Sequence, residues 1–150
     1  FHLKLYGSGF IKEDVDPANS IISFEGMFSP DEVAKHIRGS FGLVWNGNAI
    51  EECGGHFGQY LLYNNPHKTS LYLLCGLPII IWDKAAIATV IKARQLGICI
   101  SSLEELDGKL KNLSNEDYQK MVKNVAEVRE QIISGGFLKE AMKKALLALS

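Results

Sequence analysis

The sequence is short of cysteine, and what it has is unpatterned. Cys53, Cys75 and Cys99 are its three thiols. No Cys-x-x-Cys occurs, which argues against a disulfide framework and a zinc site alike. Free thiols point to a reducing, cytoplasmic setting, at most at the periphery of a membrane. Long apolar runs are missing too, since none approaches the ~18 residues of a spanning helix. So is excess charge. The formal net charge is −1, so there is no electrostatic footprint for nucleic acid or an anionic membrane. An amino-terminal signal pattern is not visible. His2, His36, His56 and His67 show no ligand spacing, and no Ser or Cys sits in a nucleophile-elbow sequence.

What is present suits a single α/β domain. The 150 residues, 47% of them apolar, are enough for one substantial core. Phe1 to Tyr6 alternates as a strand and meets the turn Gly7-Ser8-Gly9. The loop from Ile11 to Asn19 contains the turn signal Asp16-Pro17, and Ser20 to Glu25 is a second strand. Ser29-Pro30-Asp31-Glu32 starts a short helix that ends near Gly39. Ser29 is its cap, Glu32 can close a capping box, and Phe28 with Val33 can form a hydrophobic staple. Phe41 to Trp45 is the third strand. Asn46 to Leu62, broken by Asn46-Gly47-Asn48, Gly54-Gly55 and Gly58, reads as a long irregular stretch.

Tyr63 to Trp82 is the centre of the pattern. Asn65 is the expected cap of a helix with Pro66 in its first turn. Leu71, Leu74 and Cys75 give that helix an apolar face, and Gly76 ends it. Leu77 to Trp82 is a continuous apolar run, as for a parallel strand covered on both faces. Ala85 to Leu96 is helical, with Ile87, Val90 and Ile91 inward, and Gly97 to Ser101 is the last strand. Ser102 and Ser114 each cap a helix, Gly135-Gly136 breaks the second, and Phe137 to Leu149 is a final amphipathic helix. This alternation predicts an α/β fold, a Rossmann-like parallel sheet with helices on both faces. Ligands in such folds bind beyond the carboxyl ends of the strands.

The start of the Asn65 helix carries the chemistry. The amides of His67 and Lys68 have no intrahelical partner, and the helix dipole adds partial positive charge. Lys68 adds a full charge, and His67, Thr69 and Ser70 add donors. That is a place for an anion, above all a phosphate. The plain alternative is a structural cap that binds nothing, although a Lys in the first turn opposes the dipole and needs a reason. Gly7-Ser8-Gly9 is no dinucleotide fingerprint. Lys12 stands where the third glycine belongs, and the residues after it cannot open a long helix. Asn46-Gly47-Asn48 lacks the carboxylates of a metal motif, and no metal is expected.

Taken together, several blocks resemble a known family. They are Leu5-Tyr6-Gly7-Ser8-Gly9-Phe10, Phe24 to Glu32 with Gly26-Met27-Phe28-Ser29-Pro30-Asp31-Glu32, Phe41 to Trp45, Tyr63-Asn64-Asn65-Pro66-His67-Lys68, and Gly76-Leu77-Pro78-Ile79-Ile80. They are similar to the C-terminal half of bacterial sugar transferases, the β-1,6-galactofuranosyltransferases and the glucosyltransferases that extend glycans on serine-rich streptococcal adhesins. The resemblance covers nearly the whole chain. It implies the C-terminal, donor-binding half of a GT-B fold, two Rossmann-like domains facing across a cleft. It also implies transfer of a hexose, galactofuranose or glucose, from a UDP-sugar to a glycan or glycoprotein hydroxyl, with no cofactor and no metal. In that frame Lys68 would neutralise the diphosphate. Asn65, His67, Thr69 and Ser70 would belong to the same nucleotide-sugar site, with the backbone and hydroxyls of Thr69 and Ser70 bonding the phosphates. Phe28 would stack on uracil, unless it serves only as the staple.

The family's N-terminal domain is absent from these 150 residues, as are a strand and helix that in the family precede the segment equivalent to Phe1. The isolated stretch is therefore expected to transfer no sugar, to hold no complete catalytic set, and to form a homo-oligomer. The alternative in another class is a non-catalytic Rossmann-like binding or assembly module.

Overall fold

A computed structural model describes residues 1–10 and 21–149. The turn expected at Asp16-Pro17 lies outside them. The chain divides into two compact units, Phe1–Gly39 and Ser40–Ser150.

In the first unit β1 (Leu3–Tyr6) pairs in parallel with β2 (Ile22–Gly26). The register sets Lys4 beside Ser23 and Leu5 beside Phe24, and an irregularity after Leu5 brings Tyr6 beside Gly26. α1 (Pro30–His36) follows. Ser29 holds the cap position, but its hydroxyl does not accept a backbone amide. It donates instead to the Glu32 carboxylate at 3.1 Å. Half of the expected capping box is therefore replaced by a side-chain pair.

The second unit is built on β3 (Gly42–Val44), β4 (Ile79–Trp82) and β5 (Gly97–Ile100), all parallel, with β4 in the middle. All four residues of β4 are buried, as a strand covered on both faces requires. On one face Val44, Ile79 and Ile81 pack in a core with Leu73, Ile91, Val125 and Val128. On the other, Ile80 and Ile100 pack with Leu106, and Leu43 and Leu110 lie against them. Helices thus cover both faces, and the fold is α/β and Rossmann-like. Among the described residues β1 pairs with β2, and β3 to β5 pair among themselves.

The helices of this unit depart from the sequence reading in physical detail. The stretch expected to be irregular contains α2 (Gly55–Gln59) and a 3₁₀ turn over Tyr60–Leu62. Leu61 in that turn is fully buried, so packing rather than propensity sets it there. α3 (His67–Leu74) starts two residues after Asn65, with Pro66 in the cap position and no side-chain cap bond. Its buried residues are Thr69 and Leu73, one turn apart on one face, whereas Leu71, Leu74 and Cys75 are half-buried. α4 (Ala88–Ala93) is shorter than expected. Its Val90 is 41% exposed while Ile91 is buried, and the chain leaves it through Gln95 at φ 52°.

Ser102 accepts the amide of Glu104 at 3.1 Å, but it caps a 3₁₀ turn over Leu103–Glu105 that leads into α5 (Leu106–Lys111). Ser114 caps α6 (Asn115–Ile133) as expected, accepting from the Asp117 amide at 3.0 Å. Gly135, at φ 66°, ends that helix, and α7 (Gly136–Leu149) has no buried residue. Among the described residues no helix is long and apolar enough to cross a membrane.

Candidate nucleotide-sugar site

The start of α3 is the best-defined polar feature of the second unit. Pro66 has no N–H and no side-chain acceptor, so it can begin the helix but cannot cap it. The Thr69 amide is satisfied by the Pro66 carbonyl at 2.9 Å. Among the described residues the amides of His67 and Lys68 meet no acceptor. Those two donors, at the positive end of the helix dipole, are what an anion would meet.

Lys68 stands beside them. Its Nζ donates to Asn46 Oδ1 at 3.4 Å, so the ammonium is held at the loop leaving β3 and stays exposed. That loop is pinned from several sides. Trp45 Nε1 donates to the Ala49 carbonyl at 3.0 Å. The Ile50 carbonyl accepts from the Leu103 amide at 2.8 Å and from Ser102 Oγ at 3.1 Å. Gly47 lies at φ 120° against the Gly54 backbone, where a Cβ would come within 2.7 Å of the carbonyl oxygen. The loop is therefore packed rather than loose, and Asn46 is the polar residue it presents to Lys68.

The other expected site residues separate by exposure. Asn65, His67 and Ser70 are exposed, so their side chains are free to meet a ligand. Thr69 is 2% exposed and turns its hydroxyl into the protein. Its Oγ1 has no partner there. A part-buried or buried polar atom without a partner calls for an explanation. Among the described residues there are four, Asn64 Oδ1, Thr69 Oγ1, Trp82 Nε1 and Asp83 Oδ1. All belong to two segments, the approach to α3 with its first turn, and the carboxyl end of β4. These segments are joined where the Ala86 amide donates to the Leu61 carbonyl at 2.8 Å. Asn46, Asn64, Trp82 and Asp83 were not singled out as site residues by the sequence. For Asn46, Trp82 and Asp83 a place at a strand end was the one available signal.

Phe28 belongs to the first unit. Its ring stacks on the imidazole of His36 with centroids 3.9 Å apart and planes 10° from parallel. The Tyr6 ring lies 6.4 Å from Phe28 at a tilt. The ring thus stacks on the last residue of α1. On the polar side of the same unit, Ser23 Oγ donates to Glu25 Oε1 at 2.6 Å and lies 2.9 Å from His2 Nε2. The carboxylate holds the hydroxyl and not the imidazole, so this is not the acid–base–nucleophile order of a triad.

Elsewhere, a shallow depression of about 530 Å³ runs beside α5, lined by Ile98, Glu105, Lys109 and Asp117 among others. Glu105 and Lys109 approach each other there at 3.9 Å, and it holds none of the expected site residues. Among the described residues no three His, Cys, Asp or Glu side chains come together in a way that could hold a metal ion. Burial pushes the thiol of Cys53 up from its ordinary 9.0, partly offset by a backbone hydrogen bond from Asn46. Cys53 is therefore a protonated core residue at neutral pH rather than a nucleophile.

Comparison with known proteins places the sequence in a family. Residues 1–145 match the family described as glucosyltransferase 3-like, C-terminal domain. The chain is 34% identical over 143 residues to the β-1,6-galactofuranosyltransferase WbbI of Escherichia coli (strain K12), covering 95% of this chain and 42% of that protein. It is 30% identical over 139 residues to glucosyltransferase 3 of Streptococcus gordonii, covering 92% of this chain and 41% of that protein. Glucosyltransferase 3 of Streptococcus parasanguinis is 26% identical over 121 residues, 79% of this chain and 34% of that protein. The chain thus spans about two fifths of the length of the first two relatives. On its sequence match and its Rossmann-like architecture together, it belongs to the glucosyltransferase 3-like C-terminal domain family.

Proposed function

We propose that this chain is the donor-binding half of a GT-B glycosyltransferase that moves a hexose, galactofuranose or glucose, from a UDP-sugar to a hydroxyl of a glycan or glycoprotein. The observation that carries the reading is the open start of α3. Two amides without acceptors and an exposed, tethered Lys68 converge there. The rival reading, a structural cap, needs Asn65 to bond the first turn. No side chain does so, and the donors are left over.

The chemistry follows from that geometry. When the glycosidic bond to the donor breaks, negative charge grows on the leaving diphosphate. The ammonium of Lys68 and the amides of His67 and Lys68 are fixed before the reaction, so they stabilise that charge without reorganising. The exposed Ser70 hydroxyl and His67 imidazole are further donors. Thr69 contributes through its place in the helix, since its hydroxyl faces inward. In this account the diphosphate charge is met by protein groups and requires no metal. The base that activates the acceptor hydroxyl belongs to the other half of the transferase. Association of copies is part of the reading, supported by the open apolar side of α7.

Calorimetric titration of the chain with UDP and with uridine tests the proposal. UDP is expected to saturate one site and to bind more tightly than uridine. Equal affinity for the two would remove the phosphate assignment, and no saturable binding of either would favour the non-catalytic module.

A further inference from the structure

The segment from Gly55 to Tyr63 carries three rings that the core does not use. Phe57, Tyr60 and Tyr63 are 80%, 61% and 83% exposed. They stand three residues apart along α2 and the 3₁₀ turn that continues it. Side chains three apart share one face of a helix, and in a 3₁₀ turn they eclipse. The Tyr60 carbonyl accepts the amides of Tyr63 and Asn64, both at 3.1 Å, so the winding continues through the third ring. The opposite side of the segment is fixed to the fold. Leu61 is fully buried, and its carbonyl accepts the Ala86 amide at 2.8 Å. Gly58 is buried against Cys53, where a Cβ would collide with the carbonyl. The rings therefore form an outward strip about 10 Å long on a backbone that is held in place.

The chemistry of this strip is uncharged. No Asp, Glu, Lys or Arg occurs from Cys53 to His67. Exposed polar side chains of the same stretch include His56, Gln59 and Asn65, an imidazole and two amides that donate as well as accept. A nucleic acid or an anionic membrane would call for cations here. A neutral sugar has the complementary chemistry. Its flat C–H faces lie on aromatic rings, and its uncharged hydroxyls pair with amides and phenols. We infer that the strip of Phe57, Tyr60 and Tyr63 binds a neutral glycan, sugar ring upon aromatic ring. It ends four residues before α3 begins at His67. The inference goes beyond the donor reading, which leaves the glycan to the other half of the transferase, and it does not need α3 to hold a diphosphate. The fixed backbone lowers the cost of ordering the rings when a sugar arrives.

The test is titration of the chain with the uncharged trisaccharides maltotriose, cellotriose and gentiotriose, followed through the aromatic NMR resonances of Phe57, Tyr60 and Tyr63. At least one trisaccharide is expected to move the resonances of all three rings saturably. Phe57→Ala and Tyr63→Ala are each expected to weaken that sugar about twofold to tenfold, the range of one aromatic contact. Both variants should melt close to the parent, because the rings they lose are exposed. Tyr63→Phe keeps the ring and is expected to keep most of the binding. Absence of saturable movement with all three sugars overturns the inference, and so does parental affinity in both alanine variants. Movement with UDP-glucose but with no trisaccharide also overturns it, because the strip then belongs to the donor's sugar. Self-association that is lost in the double variant Phe57→Ala with Tyr63→Ala, with no response to any sugar, overturns it in favour of a second copy of the chain.

Discussion

The ammonium of Lys68 donates to the side-chain oxygen of Asn46 at 3.4 Å, tying the second residue of α3 to the loop that leaves β3. Neither residue explains its position alone. A Lys in the first turn of a helix opposes the dipole, and an Asn between a strand and a glycine turn needs no partner. Together they hold one positive charge at the carboxyl edge of the sheet. Asn46→Ala should leave the charge in place but free to wander. The expected loss in UDP affinity is about twofold to tenfold, the scale of one ordinary hydrogen bond. Titration calorimetry reads it directly, and a loss larger than that of Lys68→Ala would reverse the roles given to the two residues.

The cap positions make a second, purely structural prediction. Ser114 accepts the Asp117 amide at 3.0 Å, whereas Asn65 caps nothing. Ser114→Ala should lower unfolding stability by about 1 kcal/mol. Asn65→Ala should change it by less than about 0.5 kcal/mol, as surface substitutions usually do. Urea denaturation of both variants checks this. Equal losses would mean that Asn65 caps α3 after all.

Stability should fall in alkali. Burial raises the titration of Cys53 and Cys99 above their ordinary 9.0, and that of Tyr72 above its ordinary 10.0. A group whose folded value is raised favours its protonated form in the native state. Its contribution is complete below the unfolded value and is lost as the pH rises through the folded one. The melting temperature should therefore be flat from pH 7 to about pH 8.5 and decline above about pH 9. The decline should be shallower in Cys53→Ala, whatever that variant's starting stability. A parent melting temperature that rises between pH 9 and 10.5 would contradict the burial assigned to these groups.

The final helix predicts behaviour in solution. Leu138, Met142, Leu146, Leu147 and Leu149 are 57% to 86% exposed, a larger run of open apolar side chains than soluble proteins usually leave uncovered. The chain should associate as its concentration rises, and Leu138→Lys with Leu146→Lys should suppress the association. Light scattering across a concentration series measures both. A constant monomer mass for the parent would show that the open side of α7 finds no partner among copies of this chain.

Much of this fold was readable in the residues themselves. The run Leu77 to Trp82 marked a strand covered on both faces, and β4 is that strand. Ser114 was the expected cap of a helix, and it is one. Other features depended on contacts that no local pattern encodes. α2 carries two glycines within five residues, poor helix formers, and is held by packing around buried Leu61 and Gly58. In α3 it is Pro66 itself, at ψ 139°, that stays extended and takes the cap position, and the local pattern Asn65-Pro66 does not announce that. The sequence marked Phe28 and His36 separately, one as an aromatic and one as a histidine without ligand spacing. Only the tertiary structure stacks them. The start of α3 was legible to within two residues, because a proline followed by polar residues marks a helix start. Asn46, Asn64 and Asp83 were not, because the Lys68 contact of Asn46 and the burial of Asn64 Oδ1 and Asp83 Oδ1 depend on residues distant in sequence.

The claim most directly open to test is that the start of α3 holds the diphosphate. In Lys68→Ala, UDP should bind about tenfold to hundredfold more weakly, the scale of about 1.5–3 kcal/mol for a charge-assisted contact. Uridine should bind nearly as it does to the parent, because it has no charge for Lys68 to meet. Calorimetric titration of both ligands against both proteins measures the difference. The account predicts a large loss for UDP alone. Unchanged UDP affinity in Lys68→Ala would contradict it.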